Sequence, residues 1–204
     1  MIASEKFKII NREGTSVEIF PPAGDSFYSK ALIGVAAKNF TSPVSLESNK
    51  RSYFLPDTEV ANGYIIKNMI NGEYYLTVAV VPEIYSNRIL SIAAHLFKCN
   101  ATVNIKGFTE TWDAYGNKTK ATSSKVSEEL CYIQSVSNEL RQYDPGLHPD
   151  TRYVIYISQC STTILDTVEI TEYSPETKLK VVDVNNFIFE GISKIQVKAE
   201  TRDA

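Results

Sequence analysis

A chain of 204 residues with 43% hydrophobic and 22% charged residues can build a core without disulfide or metal staples. Its formal net charge of −3 gives no bulk electrostatic drive towards nucleic acid or an anionic membrane. Cys99, Cys131 and Cys160 are widely spaced, with no CxxC pair, which points to a reducing compartment.

The N-terminal MIASEKFKII lacks the apolar core and cleavage site of a signal peptide. No apolar run approaches the roughly 18–20 residues of a bilayer span. The expectation is a protein that folds in the cytoplasm and makes no membrane contact. Residues 5–20 read as two short strands around Glu13-Gly14, followed by a loop at Pro21–Ser26. Residues 28–40 suit a buried strand or a short helix; the internal Gly34 weakens the helix, so a strand is expected. Residues 41–50 read as a polar loop, and 51–55 as a strand stopped by Pro56.

Tyr64–Ile70 and Glu73–Val81 flank Asn71-Gly72, the clearest hairpin signal in the chain, because that dipeptide takes positive φ readily. Pro82 is expected to end the second arm, and Tyr85–Arg88 to form the next loop. Leu90–Ile105 is then the spine. Leu90, Ile92, Ala94 and Leu96 are apolar at even positions, whereas Phe97, Cys99, Ala101, Val103 and Ile105 are apolar at odd ones. Each half alternates as a half-buried strand does, and the change of phase predicts one long strand bent by a bulge at Leu96–Phe97.

Gly107–Tyr115 alternates as a further hairpin arm, turned by Gly116-Asn117, and the polar 118–125 reads as a mobile segment. Val126–Leu140 fits either period: Val126, Leu130, Ile133 and Leu140 have helical spacing, yet the β context makes Leu130–Val136 a strand. Tyr143–Thr151, with two prolines and a glycine, is an exposed loop. Arg152–Gln159, Thr162–Glu172, Leu179–Val184 and Ile192–Lys198 are strands, the first central because it is apolar on both faces. No sequence repeat or composition shift marks a boundary. The chain therefore reads as mainly β: a single β-barrel or β-sandwich domain over residues 1–204 with long loops, its first 50 or so residues an arm or a partly separate element.

The residues that carry chemistry are sparse. His95 and Cys99 lie four apart, roughly 13 Å along a strand, too far for one metal, and read as a packed histidine and a core thiol. His148 stands in a proline-flanked loop without a nucleophile motif. Glu128-Glu129 are neighbours that a strand would point to opposite faces, unlike a glycosidase pair. No phosphate-cradling glycine motif occurs. Asn100-Ala-Thr102 and Asn117-Lys-Thr119 match the glycosylation pattern by chance for a cytoplasmic chain. The expectation is no enzyme, no catalytic residue, no metal and no cofactor. The 12 tyrosines and 9 phenylalanines suit strands first and protein interfaces second. Trp112 reads as a hairpin core residue or, with Tyr115, as a stacking platform.

Two stretches, the run Tyr74–Asn117 with VVPEIY, LFKCNATVNI and FTETWDAYGN, and the C-terminal RYVIYIS followed by LKVVDVNNFIFEGISKIQVKAETR, are similar to neck proteins of tailed bacteriophages, of the head-closure and head–tail joining type. The resemblance covers about half the chain. It implies a virion structural subunit, assembled in the bacterial cytoplasm. Such a subunit forms a six- or twelve-fold ring around the DNA channel and connects the portal and its adaptor to the tail. Loops 41–50, 119–125 and 143–151 are the expected docking arms, at least one ordering only in the ring. The competing functions are another phage tail, baseplate or decoration protein, and a carbohydrate- or ligand-binding β-sandwich.

Overall fold

The computed structural model describes residues 2–35, 49–112, 115–171 and 178–199. Expectations for 36–48, 113–114 and 172–177 lie outside the described residues. Helix α1 (Ile2–Glu13) precedes β1 (Thr15–Phe20), β2 (Phe27–Val35), β3 (Asn49–Phe54), β4 (Ile65–Asn68), β5 (Tyr74–Tyr85) and β6 (Arg88–Lys98). Then follow β7 (Ala101–Trp112), β8 (Lys118–Ser135), α2 (Asn138–Tyr143), β9 (Tyr153–Ser158), β10 (Thr167–Ile170), β11 (Lys178–Asn185) and β12 (Ile192–Ala199). The mainly β expectation holds, but the sheets close into two six-stranded antiparallel barrels in place of a single one. The contacts divide the chain accordingly into unit 1 (Met1–Cys99 with Phe189–Ile192) and unit 2 (Asn100–Ile188 with Ser193–Ala204).

The order around the first barrel is β1-β2-β3-β6-β5-β4, and around the second β10-β11-β12-β9-β8-β7. Read from β7 in the opposite sense, the second is the same circuit. In each barrel two three-stranded meanders join first strand to first and third to third. The chain thus repeats a topology without repeating a sequence, because a circuit depends on where turns and apolar alternation fall and tolerates any residues that satisfy them.

Unit 1 buries Val17, Ile19, Ala31, Phe54, Ile66, Tyr75, Ala94 and Leu96 in its core. Its first segment differs from the sequence expectation: residues 2–13 are helical, not extended, and β1, β2 and β3 are strands of the first barrel. Ile10 is fully buried, while Phe7 and Ile9 stay exposed, so one helical face packs on the barrel. The helix ends at Gly14, whose N–H donates to the Ile10 carbonyl at 2.9 Å. A Cβ at Gly14 would meet that carbonyl at 2.2 Å, so only glycine fits the stop.

β5 also runs on through Pro82 to Tyr85, past the point where the proline was expected to end it. Beyond Leu76 its outer edge has no strand partner among the described residues, so the proline interrupts no ladder there.

The phase change on the spine is present but takes another form. Ala94 and Leu96 are buried at even positions, Ala101, Val103 and Ile105 at odd ones. Cys99 and Asn100 separate two strands of different barrels, so the flip lies there and not in a bulge at Leu96–Phe97. Each of these two residues is fastened in its own unit: Cys99 N–H donates to Tyr74 O, and Asn100 N–H to Cys131 O. The Asn100 side chain then donates to Ile133 O at 2.8 Å and accepts from Ile133 N–H at 2.7 Å, in the manner of an extra strand residue.

Unit 2 packs Val103, Ile105, Cys131, Ile155, Ile157, Val168, Leu179, Ile195 and Val197 as its core. Residues 118–125, expected to be mobile, form the first part of the 18-residue β8. They look like a loop because no core lies on either face there, and β7 alone holds them through the ladder. Leu130–Ser135 is strand as expected; of the four residues at helical spacing, Val126, Leu130 and Ile133 lie in β8 and Leu140 in α2, where it is buried and Ser137 caps the first turn. Opposite Val103–Ile105, β8 bulges and Glu128 takes φ 51, its N–H bonded to the Asn104 side chain at 2.8 Å. A non-glycine residue there carries left-handed strain. Glu128→Gly is expected to raise the unfolding free energy by about 0.5–1 kcal/mol. Urea denaturation reads this directly, and a lower midpoint would show that the bulge needs the glutamate side chain.

Candidate functional site

Each barrel carries a pair of strands that outruns its neighbours. In unit 1, β3 pairs with β6 only as far as Ile92, and β4 with β5 only over Tyr74–Leu76. Residues 83–91 therefore pair only with each other, as a two-stranded ribbon closed by Ser86 and Asn87, both at positive φ. That is the geometry of a two-residue turn matched to strand twist. Ile84 lies opposite Ile89 in register. Ile84 and Tyr85 are 65% and 57% exposed, which a ribbon with no core beneath it leaves uncompensated. The ribbon root is polar. Glu83 accepts from Ser91 Oγ at 2.6 Å and from Lys6 Nζ of α1, and Lys6 lies 4.2 Å from the centre of the Tyr53 ring.

Burial raises the Glu83 pKa, but hydrogen bonds from Lys6 and Ser91 and the charges of Lys6 and Arg51 outweigh it and hold the carboxyl below its ordinary 4.5. Glu73, at the start of β5, is also lowered, first by the hydrogen bond from Lys98 and then by that from Tyr75. Groups lowered in the folded state contribute stability that is complete above the unfolded value and lost as pH falls through the folded one. Unit 1 should therefore lose stability below about pH 4.5. Glu83→Gln should flatten part of that loss in urea midpoints measured against pH, and an unchanged slope would deny Glu83 the role.

In unit 2, β10 pairs with β7 only to Lys106, so residues 107–112 and 118–123 form the second ribbon. Phe108 and Trp112 share one face by strand alternation, roughly 13 Å apart. Trp112 is 68% and Tyr115 91% exposed, so Trp112 is not a hairpin core residue. Lys118, its cross-strand partner, places Nζ 5.7 Å from the indole centre. At the root, Lys125 lies across Gly107 and reaches Asp166 at 2.8 Å.

The residues singled out by sequence are not brought together. His95 is exposed, opposite Arg51 in register, and so is not packed; Cys99 is half-buried and no disulfide joins the three cysteines. His148 accepts from Asp150 N–H through Nδ1, as a loop brace. Glu129 is half-buried and its pKa is raised, chiefly by burial. Among the described residues no three His, Cys, Asp or Glu side chains gather as a metal site, and no helix is long and apolar enough to cross a membrane. An open concavity of about 730 Å³ in unit 1 is lined by Tyr28, Lys30, Asp57 and Thr58 among others. Its polar groups are partly spent on each other: Ser29 bonds Thr58 at 2.8 Å, and Lys30 donates to Asn11 O at 2.6 Å.

Nor are the expected arms free where they are described. Residues 119–125 belong to β8. The 144–151 loop is held by Arg141, which donates to His148 O and Thr151 O, and by Gln196. Sequence reading passed over the unit 1 ribbon. The available signal was the apolar set Val81, Ile84, Tyr85 and Ile89 around a two-residue turn, with no second apolar layer to cover it.

Fold and site together define a tandem-barrel protein with two exposed aromatic and aliphatic ribbons. No protein-family model and no curated protein matches the chain. Among solved structures it is similar to MrkH of K. pneumonia in its apo state, with 10% identity and a TM-score of 0.26, over 98% of this chain and 85% of that one. A P2(1) crystal of MrkH gives 12% identity and a TM-score of 0.24 over the same shares. Likeness at these values defines neither a shared fold nor a function.

Proposed function

We propose that the chain is a structural subunit of a tailed-phage particle, in the neck or elsewhere in the tail, that docks onto neighbouring subunits through its two β-ribbons. The observation that carries this is the exposure of Ile84 and Tyr85 on a ribbon with which no other strand among the described residues pairs. Such ribbons offer apolar anchors and open backbone edges to a partner at once. In the neck reading the partners are further copies in a ring, the portal with its adaptor, and the tail. In the tail, baseplate or decoration reading the same ribbons serve a different neighbour. The role asks for binding surfaces and not for catalysis. The test is complementation of a particle lacking this chain with Ile84→Asp and Tyr85→Ser. Normal thermal stability of the purified variants with loss from particles supports the role; incorporation at the wild-type level overturns it.

A second reading, a carbohydrate-binding platform, is favoured by the exposure of Trp112 and Tyr115. Glycan binding by the purified chain that disappears in Trp112→Ala would support it.

A further inference from the structure

We propose that Asn71 is a site of spontaneous deamidation, and that its conversion unfastens the β4–β5 seam of the first barrel. Asn71 and Gly72 form the exposed turn between these strands. Gly72 has φ +71, and nothing lies within 4 Å of the position a Cβ would occupy, so no neighbouring group crowds the glycine. In the reaction the Gly72 amide nitrogen, having lost its proton, attacks Cγ of Asn71. The C–N bond to Nδ2 breaks, and Nδ2 leaves as ammonia with the proton restored. Water then opens the cyclic imide at either carbonyl, giving an aspartyl or an isoaspartyl peptide; one water is consumed for each ammonia released.

Two hydrogen bonds brake the reaction: Gly72 N–H donates to Asn68 O, and Asn71 Oδ1 accepts from Glu73 N–H at 3.1 Å. Both lie in an exposed turn, where local opening is easiest. The other Asn-Gly pair, Asn62-Gly63, differs. Gly63 is buried, its N–H donates to Thr77 O at 2.8 Å, and a backbone carbonyl fills the space over its Cα.

The consequence follows from the neighbours. Asn71 Nδ2 donates to Glu73 Oε2 at 2.8 Å; the same carboxylate accepts from the buried Tyr75 hydroxyl and, at 2.5 Å, from Lys98. Conversion replaces a donor to Glu73 by a second carboxylate, so a like-charge contact stands where a hydrogen bond was. The isoaspartyl product also lengthens the turn backbone. The seam it closes is short: three residue pairs, Ile65↔Leu76, Ile66↔Tyr75 and Lys67↔Tyr74, tie β4 to β5.

The experiment incubates the full chain at mildly alkaline pH and maps deamidated peptides by mass spectrometry over time. Conversion at Asn71 is expected to run about ten times faster than at Asn62, the ratio set by easier local opening. Asn71→Gln should remove it. Hydrogen exchange of the β4 amides should quicken in Asn71→Asp and slow again when Glu73→Gln is added, with β9 amides as the internal control. Conversion at Asn62 as fast as at Asn71, or β4 protection unchanged in Asn71→Asp, overturns the proposal.

Discussion

Gln196→Leu should lower the stability of unit 2 by about 3 kcal/mol. Gln196 is 2% exposed and satisfies both ends of its amide. Oε1 accepts from His148 N–H and Thr151 Oγ1, each at 2.8 Å. Nε2 donates to Asp183 Oδ2 at 2.7 Å and to Gly146 O at 3.1 Å. Leucine keeps the volume and leaves four partners without their bond, some of them unable to reach water, where the desolvation cost is felt in full. Because those partners include the 146–151 loop, the change should also quicken hydrogen exchange there before the barrel as a whole opens. Urea denaturation combined with exchange separates the two effects. A loss under about 1 kcal/mol would mean that water replaces the amide at little cost.

Lys125→Met is expected to cost about 3 kcal/mol, because it strands a buried carboxylate. The Asp166 side chain is only 2% exposed and has Lys125 as its cationic partner at 2.8 Å. Its remaining bonds come from Thr163 N–H at 2.8 Å and Thr163 Oγ1 at 3.2 Å. Asp166→Asn added to Lys125→Met removes the charge and keeps an acceptor for Thr163, so the double variant should recover much of the loss. Equal instability of single and double variants would place the cost in packing of the lysine stem and not in charge. The stem passes close over Gly107, where a Cβ would meet Lys125 Cε at 2.4 Å. Gly107→Ala should therefore weaken the same pair from the opposite side.

The strands of the two cores were legible because alternation and turn chemistry agree there. Asn71-Gly72 and Gly116-Asn117 turn hairpins as expected, with Gly72 and Gly116 at positive φ. The apolar Arg152–Gln159 run became β9, with Val154, Ile155 and Ile157 buried. What failed failed for identifiable reasons. Residues 118–125 carry no apolar period because the ribbon has no inside, so the only signal for a strand was its partner, far along the chain. Pro82 marks a strand end only where both edges are paired, which local sequence does not disclose. Among its described side chains the N-terminal helix holds one deeply buried apolar position, Ile10, too few for periodicity to decide its conformation. The second barrel was hidden because the spine passes from one closed sheet to the next through two residues, without the polar linker that usually announces a boundary. The Gln196 and Asp166 networks are tertiary, and no spacing within the chain encodes them.

The placement of the barrels along the chain bears on its synthesis. All six strands of the first lie between Thr15 and Lys98, and all six of the second between Ala101 and Ala199. Neither sheet borrows a strand from the other. A ribosome that has released residue 98 has therefore supplied every strand of the first barrel, while the second cannot close until its last strand, β12, emerges near the C-terminus. Through that interval the β7–β8 ribbon, with Trp112 at its end, is outside the ribosome before the sheet that anchors it is complete. Its lysines Lys118 and Lys125 are well suited to keep that nascent edge from pairing with another chain.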